Sequence, residues 1–146
     1  QQVFLNGDNV STRIRTQQVG DAASTVSQYP AVREKMVKLQ QSLAEHSSVV
    51  MDGRDIASKV LPNADTKIYL TASVEERARR RANELREKGE VCDIAEVEAE
   101  IRARDDRDMH RQHSPLIQVP EAVLVDSSTL TIDETIDRIL EICMQH

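Results

Sequence analysis

The stretch Ile101-Arg-Ala-Arg-Asp-Asp-Arg-Asp-Met-His-Arg-Gln-His-Ser-Pro115 holds four arginines and three aspartates. Guanidinium forks bind phosphate oxygens bidentately, and ionised carboxylates accept hydrogen bonds from hydroxyl or amino groups. Such a set suits a phosphorylated sugar, with Arg for the phosphate and Asp for a ribose hydroxyl or a base amino group. Mixed charge along a helix also arises on a face that is merely wetted by water. Angle separates the two readings. With ~100° per residue and Ile94 as origin, Val97 falls near ~300° and Ile101 near ~340°. On the same scale Arg104, Asp108 and Arg111 fall near ~280°, ~320° and ~260°. These three continue the face that is apolar two turns earlier. The helix is therefore expected to bury its first half and to aim its second half into a cleft. Arg102 and Asp106 take the wetted side, and Arg107 lies between.

A second arginine-rich run, Glu75-Glu-Arg-Ala-Arg-Arg-Arg81, behaves alike. Arg77 and Arg81 are four apart and border the stripe Val74, Ala78, Ala82 and Leu85. Arg79 faces away and Arg80 lies between. Two plainer readings stay open: Arg stems lying on apolar surface with their heads in water, and a Glu76–Arg80 pair one turn apart. A third charged cluster, Asp52-Gly-Arg-Asp55, follows the apolar run Val49-Val50-Met51. His110 and His113 lie near Asp105, Asp106 and Asp108, but the arginines around them repel a cation, so no metal site is expected. Arg13 and Arg15 read as surface residues, and Asp126-Ser127-Ser128 as a loop cap.

These side chains need elements to hold them. Val3-Phe4-Leu5 running into Asn6-Gly7 reads as a strand entering a tight turn. A helix from about Gln17 carries Val19, Ala22, Ala23 and Val26 at helical spacing, which leaves Ser24 on the opposite face. Pro30 breaks it, and a second helix presents Val32, Met36, Leu39 and Leu43. Val49–Met51, Lys67–Leu70 and Ala122–Val125 read as strands, the first of them buried. Ser73-Val-Glu-Glu76 and Thr131-Ile-Asp-Glu134 are capping boxes that open helices. Gly89 ends the first of these. The second is expected to turn Ile132, Ile136, Ile139, Leu140 and Cys143 inward. Between them a helix runs from about Ile94 to Arg111. Strands alternating with helices mean parallel pairing in an α/β layer, where ligands bind beyond the C-terminal ends of strands. The charged cluster after Met51 is the most prominent of those ends.

Composition narrows the function classes. The 146 residues have the length of one domain and carry a net charge of −6 with 2% aromatics. An acidic chain with few stacking rings is a poor nucleic-acid binder. A small anion needs only a few placed arginines. No apolar run approaches the ~20 residues of a membrane span. Cys92 and Cys143 have no ligand spacing and read as reduced thiols of a cytoplasmic protein.

Taken in order, LNGDNVSTRIRT, GDAASTVSQYPAVREK, DGRDI, LPNADTKIYLTASVEERARRR and EIRARDDRDMHRQHSPL resemble the bacterial cytidylate kinases. These are P-loop nucleoside monophosphate kinases, and the pieces cover essentially the whole chain. The resemblance implies an α/β fold with a P-loop kinase-type parallel sheet flanked by helices. It implies that residues 1–16 end the NMP-binding insert and that 17–146 form the remainder of the kinase core, with a short lid near 77–93. It implies transfer of the γ-phosphoryl of ATP, with Mg²⁺, to CMP or dCMP. Arg54 and Arg111 are then similar to ligands of the CMP phosphate, and Arg104 and Asp108 to ribose contacts. Asp55 is similar to the reader of cytosine, with Ser24 and Arg33 as further base contacts. Arg77 and Arg81 resemble the lid arginines that stabilise charge on the transferring group.

The departures from the family carry expectations of their own. Its phosphate loop, G-x-x-x-x-G-K-[ST], cannot be formed from glycines at 7, 20, 53 and 89. Ala57 stands where the family usually has glycine. The chain is therefore expected to be a C-terminal portion whose sheet lacks its first, central strand and which is inactive alone. A missing N-terminal segment or a partner chain is expected to complete the sheet. The competing readings are a non-catalytic nucleotide-binding module and a sibling kinase acting on UMP. Asp55 with Arg33 favours cytosine over uracil, whose position 4 is an acceptor.

Overall fold

The computed structural model describes residues 2–145, the side chains of residues 17 and 21 excepted. The chain divides into two compact units, Gln1–Val49 and Val50–His146.

In the first unit, Asn6 (φ 52°) and Gly7 (φ 90°) both adopt the left-handed region. A two-residue type I′ turn requires this of both positions, and it joins β1 (Phe4–Leu5) to β2 (Asp8–Asn9) as an antiparallel hairpin. The Val10 N–H donates to the Val3 carbonyl at 2.9 Å, closing the ribbon. A single 3₁₀ turn, Arg13–Arg15, leads into α1 (Gln17–Val26), capped where Thr16 Oγ1 accepts from the Val19 N–H. Pro30 then opens α2 (Pro30–Ala44) at its first turn, where a missing N–H costs nothing. The predicted helices form, yet α2 buries no residue, and Met36, Leu39 and Leu43 are exposed.

The second unit carries most of the buried apolar side chains: Val60, Ala72, Ala78, Ala82, Val97, Ala122, Val125 and Ile142. One turn of π-helix (Ile56–Val60) precedes β3 (Ile68–Thr71). Then come α3 (Val74–Glu87), α4 (Ile94–His110), β4 (Val123–Asp126) and α5 (Ile132–Met144). β3 and β4 pair in parallel, Ile68 opposite Val123 through Thr71 opposite Asp126. A parallel pair needs a long crossover, and α3 and α4 supply it. They pack on each other, and their buried apolar residues are Ala78 and Ala82, both fully buried, and Val97. α3 ends on Gly89 (φ 79°), with the Glu90 N–H returning to the Leu85 carbonyl and the Gly89 N–H to that of Arg86. That is the paired closure of a Schellman cap.

Three expectations about elements are corrected. Val49–Met51 forms no strand, and Val50 is fully exposed. A short apolar run becomes a strand only beside a ladder partner, and among the described residues none lies next to it. The Ser73 cap is half a capping box: Ser73 Oγ accepts from the Glu76 N–H at 3.1 Å. The Ser73 N–H instead donates to Ser128 Oγ at 2.8 Å, while the Glu76 carboxylate takes Arg79 and Arg80. The Thr131–Glu134 box is complete. On α5, Ile142 is buried and Ile139 half-buried, whereas Ile132 (79% exposed), Ile136, Leu140 and Cys143 are not turned inward. The two strands present are too narrow to cover more than one line of that helix.

Candidate functional site

Asp108 is the hub of the second unit. It is 9% exposed, and three arginines gather on its carboxylate. Arg54 Nε donates to Oδ2 at 2.8 Å, Arg104 Nε stands 4.0 Å from Oδ2, and Arg111 Nη1 stands 3.8 Å from Oδ1. A buried carboxylate persists only when paired. Here the pairing is over-complete: three guanidinium groups face one carboxylate, leaving an excess of two positive charges. That excess suits a dianionic phosphate, and the carboxylate suits a hydroxyl donor.

Local backbone explains how the groups meet. Asp108 and Arg104 are one turn apart on α4. Arg111 follows the last helical residue, with extended backbone (φ −63°, ψ 142°). Ser114 then takes a left-handed φ of 51°, and the Leu116 N–H returns to the Asp108 carbonyl at 2.8 Å. Arg111 Nε donates to the Ser114 carbonyl, so the same hook that ends α4 turns this side chain toward Asp108. A non-glycine residue in that region costs on the order of 1–2 kcal/mol, which the hook's hydrogen bonds offset.

Arg54 and Asp55 enter from the loop before the π-turn. Gly53 lets the loop pass close to Ile56: a Cβ there would lie 3.0 Å from Ile56 Cγ1, so that side chain would have to shift. Asp55 is 8% exposed, and its carbonyl accepts from the Lys59 and Val60 N–H groups at 2.9 and 3.3 Å. Arg54 thus turns out to Asp108 while the neighbouring residue is buried.

Arg77 and Arg81 of α3 are held differently. Arg77 is held by three bonds: Nε to the Ala72 carbonyl at 3.0 Å, Nη1 to Asp105 Oδ1 at 3.0 Å and Nη2 to Asp105 Oδ2 at 2.6 Å. Arg81 makes a surface pair with Glu84 at 2.8 Å, and Glu84 also takes Lys88. Bonds first from Lys88 and then from Arg81 hold the Glu84 carboxyl down at about 2. Glu76 is likewise held at about 2, by Arg79 first and then Arg80. Arg80 also ties α3 to the loop after β4, Nη2 donating to the Ser127 carbonyl at 2.6 Å.

The expected site residues fare unequally. Arg54, Asp108 and Arg111 converge, Arg104 reaches them while staying exposed, and Asp55 is buried beside Arg54. The Glu76–Arg80 pair forms, at 2.7 Å. Arg102 pairs with Glu98 and Glu75 on the surface, and Asp106 with His110, as a wetted face requires. In the first unit, Arg33 Nη1 donates to the Ser27 carbonyl at 3.3 Å. Ser24 is half-buried while Val19 and Val26 are exposed, the reverse of the expected faces. Within its own unit and among the described residues, α1 keeps the apolar Val19 and Val26 uncovered. Among the described residues no group of three His, Cys, Asp or Glu could hold a metal ion.

Asp105 was not singled out as a partner of Arg77. A signal existed: Asp105 lies near ~20° from Ile94, on the apolar face, where an unpaired carboxylate would be costly. The link from Arg80 to Ser127 spans 47 positions and has no sequence signature.

Comparison with known proteins bears on the family. A family model described as cytidylate kinase matches residues 1–145. A cytidylate kinase of Geobacillus kaustophilus is 49% identical over 140 residues, covering 96% of this chain and 62% of the relative. One of Caldicellulosiruptor bescii is 47% identical over 142 residues, covering 97% and 63%. One of Symbiobacterium thermophilum is 45% identical over 141 residues, covering 97% and 62%. The chain thus spans about 62% of the length of such relatives. A buried aspartate beside an arginine, an arginine-ringed carboxylate and this breadth of identity lead to one conclusion: the chain belongs to the cytidylate kinase family.

Proposed function

We propose that this chain carries the acceptor side of a phosphotransferase that moves the γ-phosphoryl of ATP to CMP or dCMP. The observation that carries the reading is the gathering of Arg54, Arg104 and Arg111 on Asp108, next to the buried Asp55. Arg54 and Arg111 bind the acceptor phosphate through their forks. Asp108 and Arg104 bind the ribose. Asp55 accepts from the cytosine N4 amino group, a pairing its carboxylate geometry favours. Uracil would set an acceptor against that carboxylate and leave both unpaired, which costs roughly 1–3 kcal/mol. Arg77 and Arg81, in a lid spanning about residues 77–93, stabilise charge on the group in flight, which with positioning is most of what such transfer needs.

The donor is ATP with Mg²⁺. The described residues offer no carboxylate cluster for the metal, and the 146 residues contain no phosphate-loop sequence, so no step is assigned through either. The phosphate loop and the strand bearing it belong to a further segment, or to a partner chain, that pairs with the edge of β3 not taken by β4. The second reading, a nucleotide-binding module without catalysis, rests on that same lack.

An assay of phosphoryl transfer from ATP to CMP separates them. The 146-residue chain is compared with the same chain preceded by the part of the Geobacillus kaustophilus relative that lies before its matched region. Turnover only in the extended chain is expected. No turnover in either, with CMP still bound, would favour the module.

A further inference from the structure

We infer that Asp105 is a positioning residue for phosphoryl transfer, acting through Arg77; this rests on the function proposed above. Arg77 and Arg81 lie one turn apart on α3 but are held in different ways. The Arg77 guanidinium is fixed at Nε and at both terminal nitrogens, by the Ala72 carbonyl and by both oxygens of Asp105. It has five N–H groups, so two stay available to an anion in a fixed direction. Arg81 has only an exposed pair with Glu84, which Glu84 shares with Lys88. Arg77 is therefore pre-set, and Arg81 is the arm free to move.

The anchor stands on the same rigid element as the acceptor site. Asp105 and Asp108 are three apart on α4, so they lie on one face. Asp105 takes an arginine from α3, and Asp108 takes one from the loop at Arg54. The packing of α3 against α4 brings the two ends of the first bridge together. One helix thus sets the distance between the arginine that meets the transferring phosphoryl and those that meet the acceptor phosphate. The part of Arg77 is orientation and charge alone.

The test uses the extended chain described above, with Asp105→Asn, Arg77→Lys and the two combined. Asp105→Asn keeps shape and one acceptor but loses the fork; Arg77→Lys keeps charge and loses the fork. Each is expected to lower kcat about 10- to 100-fold through misplacement. KM for CMP is expected to stay within about twofold, the signature of an interaction made only at the transition state. The double variant should be no slower than the worse single variant, because both break one bridge. Unchanged kcat in either single variant overturns the inference, as does a raised KM with kcat intact or a fully multiplicative double variant. If Asp105→Asn does not fold, Asp105→Glu is read in its place: it keeps the charge and displaces the fork by one methylene, and an unchanged kcat overturns the inference. An unsubstituted extended chain that binds CMP yet transfers nothing overturns the proposed function first, and this inference with it.

Discussion

Gln1–Val49 and Val50–His146 use the same helical patterning to different ends. In the first unit α1 and α2 are amphipathic, yet Val10 is its buried hydrophobic residue, and Val19, Val26, Met36, Leu39 and Leu43 are exposed. In the second, α3 and α4 pack on each other with Ala78, Ala82 and Val97 buried, and that packing brings Arg77 to Asp105. The second unit owns a core, and its charged network is built on it. Periodicity reports which face of a helix is available for burial; it does not report whether the covering surface lies in the same unit. The proposed acceptor residues Arg54, Asp55, Arg104, Asp108 and Arg111 all stand in the unit with the core.

The sharpest way to break this contrast is at the hub. Asp108→Ala leaves Arg54, Arg104 and Arg111 facing one another without a counter-charge. Arg54 is 42% exposed at its side chain, so solvent blunts the loss. A destabilisation of about 1–3 kcal/mol is expected, together with weaker CMP binding, by thermal unfolding and calorimetry on the same samples. A gain in stability would show that the carboxylate is not what gathers the arginines.

Next in size is a matched pair in the two units. Ala82→Leu overfills the α3–α4 contact and should cost about 1–3 kcal/mol. Met36→Ser on the uncovered face of α2 should change the stability of the 146-residue chain by no more than about 0.5 kcal/mol. Denaturant unfolding reads both, and similar losses would erase the distinction between the units.

The smallest effect is with pH. Glu76 and Glu84 are each lowered from 4.5 to about 2 in the folded chain by their arginine and lysine partners. A depressed carboxyl stabilises the fold above its unfolded value. That stabilisation is lost as pH falls from about 4.5 to about 2, because the unfolded chain then binds more protons. Glu84 is exposed and Glu76 half-buried beside two exposed arginines, so solvent screens both pairs and the loss is modest. Carboxyl titrations by NMR should find these two among the lowest glutamates, and ordinary values for both would contradict the pairing.

Much of this was legible in the residues. Asn6-Gly7 specified its turn, Thr131 and Glu134 their box, and Gly89 its cap, because each depends on a few adjacent positions. The face of α4 that carries Asp108 followed from angle alone. What was not legible depended on neighbours distant in sequence. Val49–Met51 has the composition of a strand but no ladder beside it. On α5 the broad apolar pattern could not say that only the line through Ile142 is covered. Ser73 has the sequence of a full capping box, and Ser128, 55 positions away, takes one half of it. Asp105 sat on a buried face in plain view, but its partner lay on another helix.

The central claim is that the buried Asp55 beside the arginine-ringed Asp108 reads cytosine on an acceptor nucleotide. Calorimetric titration of the extended chain with CMP and with UMP tests it most directly, run with and without Asp55→Ala. CMP should bind more tightly than UMP, and Asp55→Ala should weaken CMP by roughly 1–3 kcal/mol and abolish the preference. Equal binding of CMP and UMP by the unsubstituted chain would contradict the account.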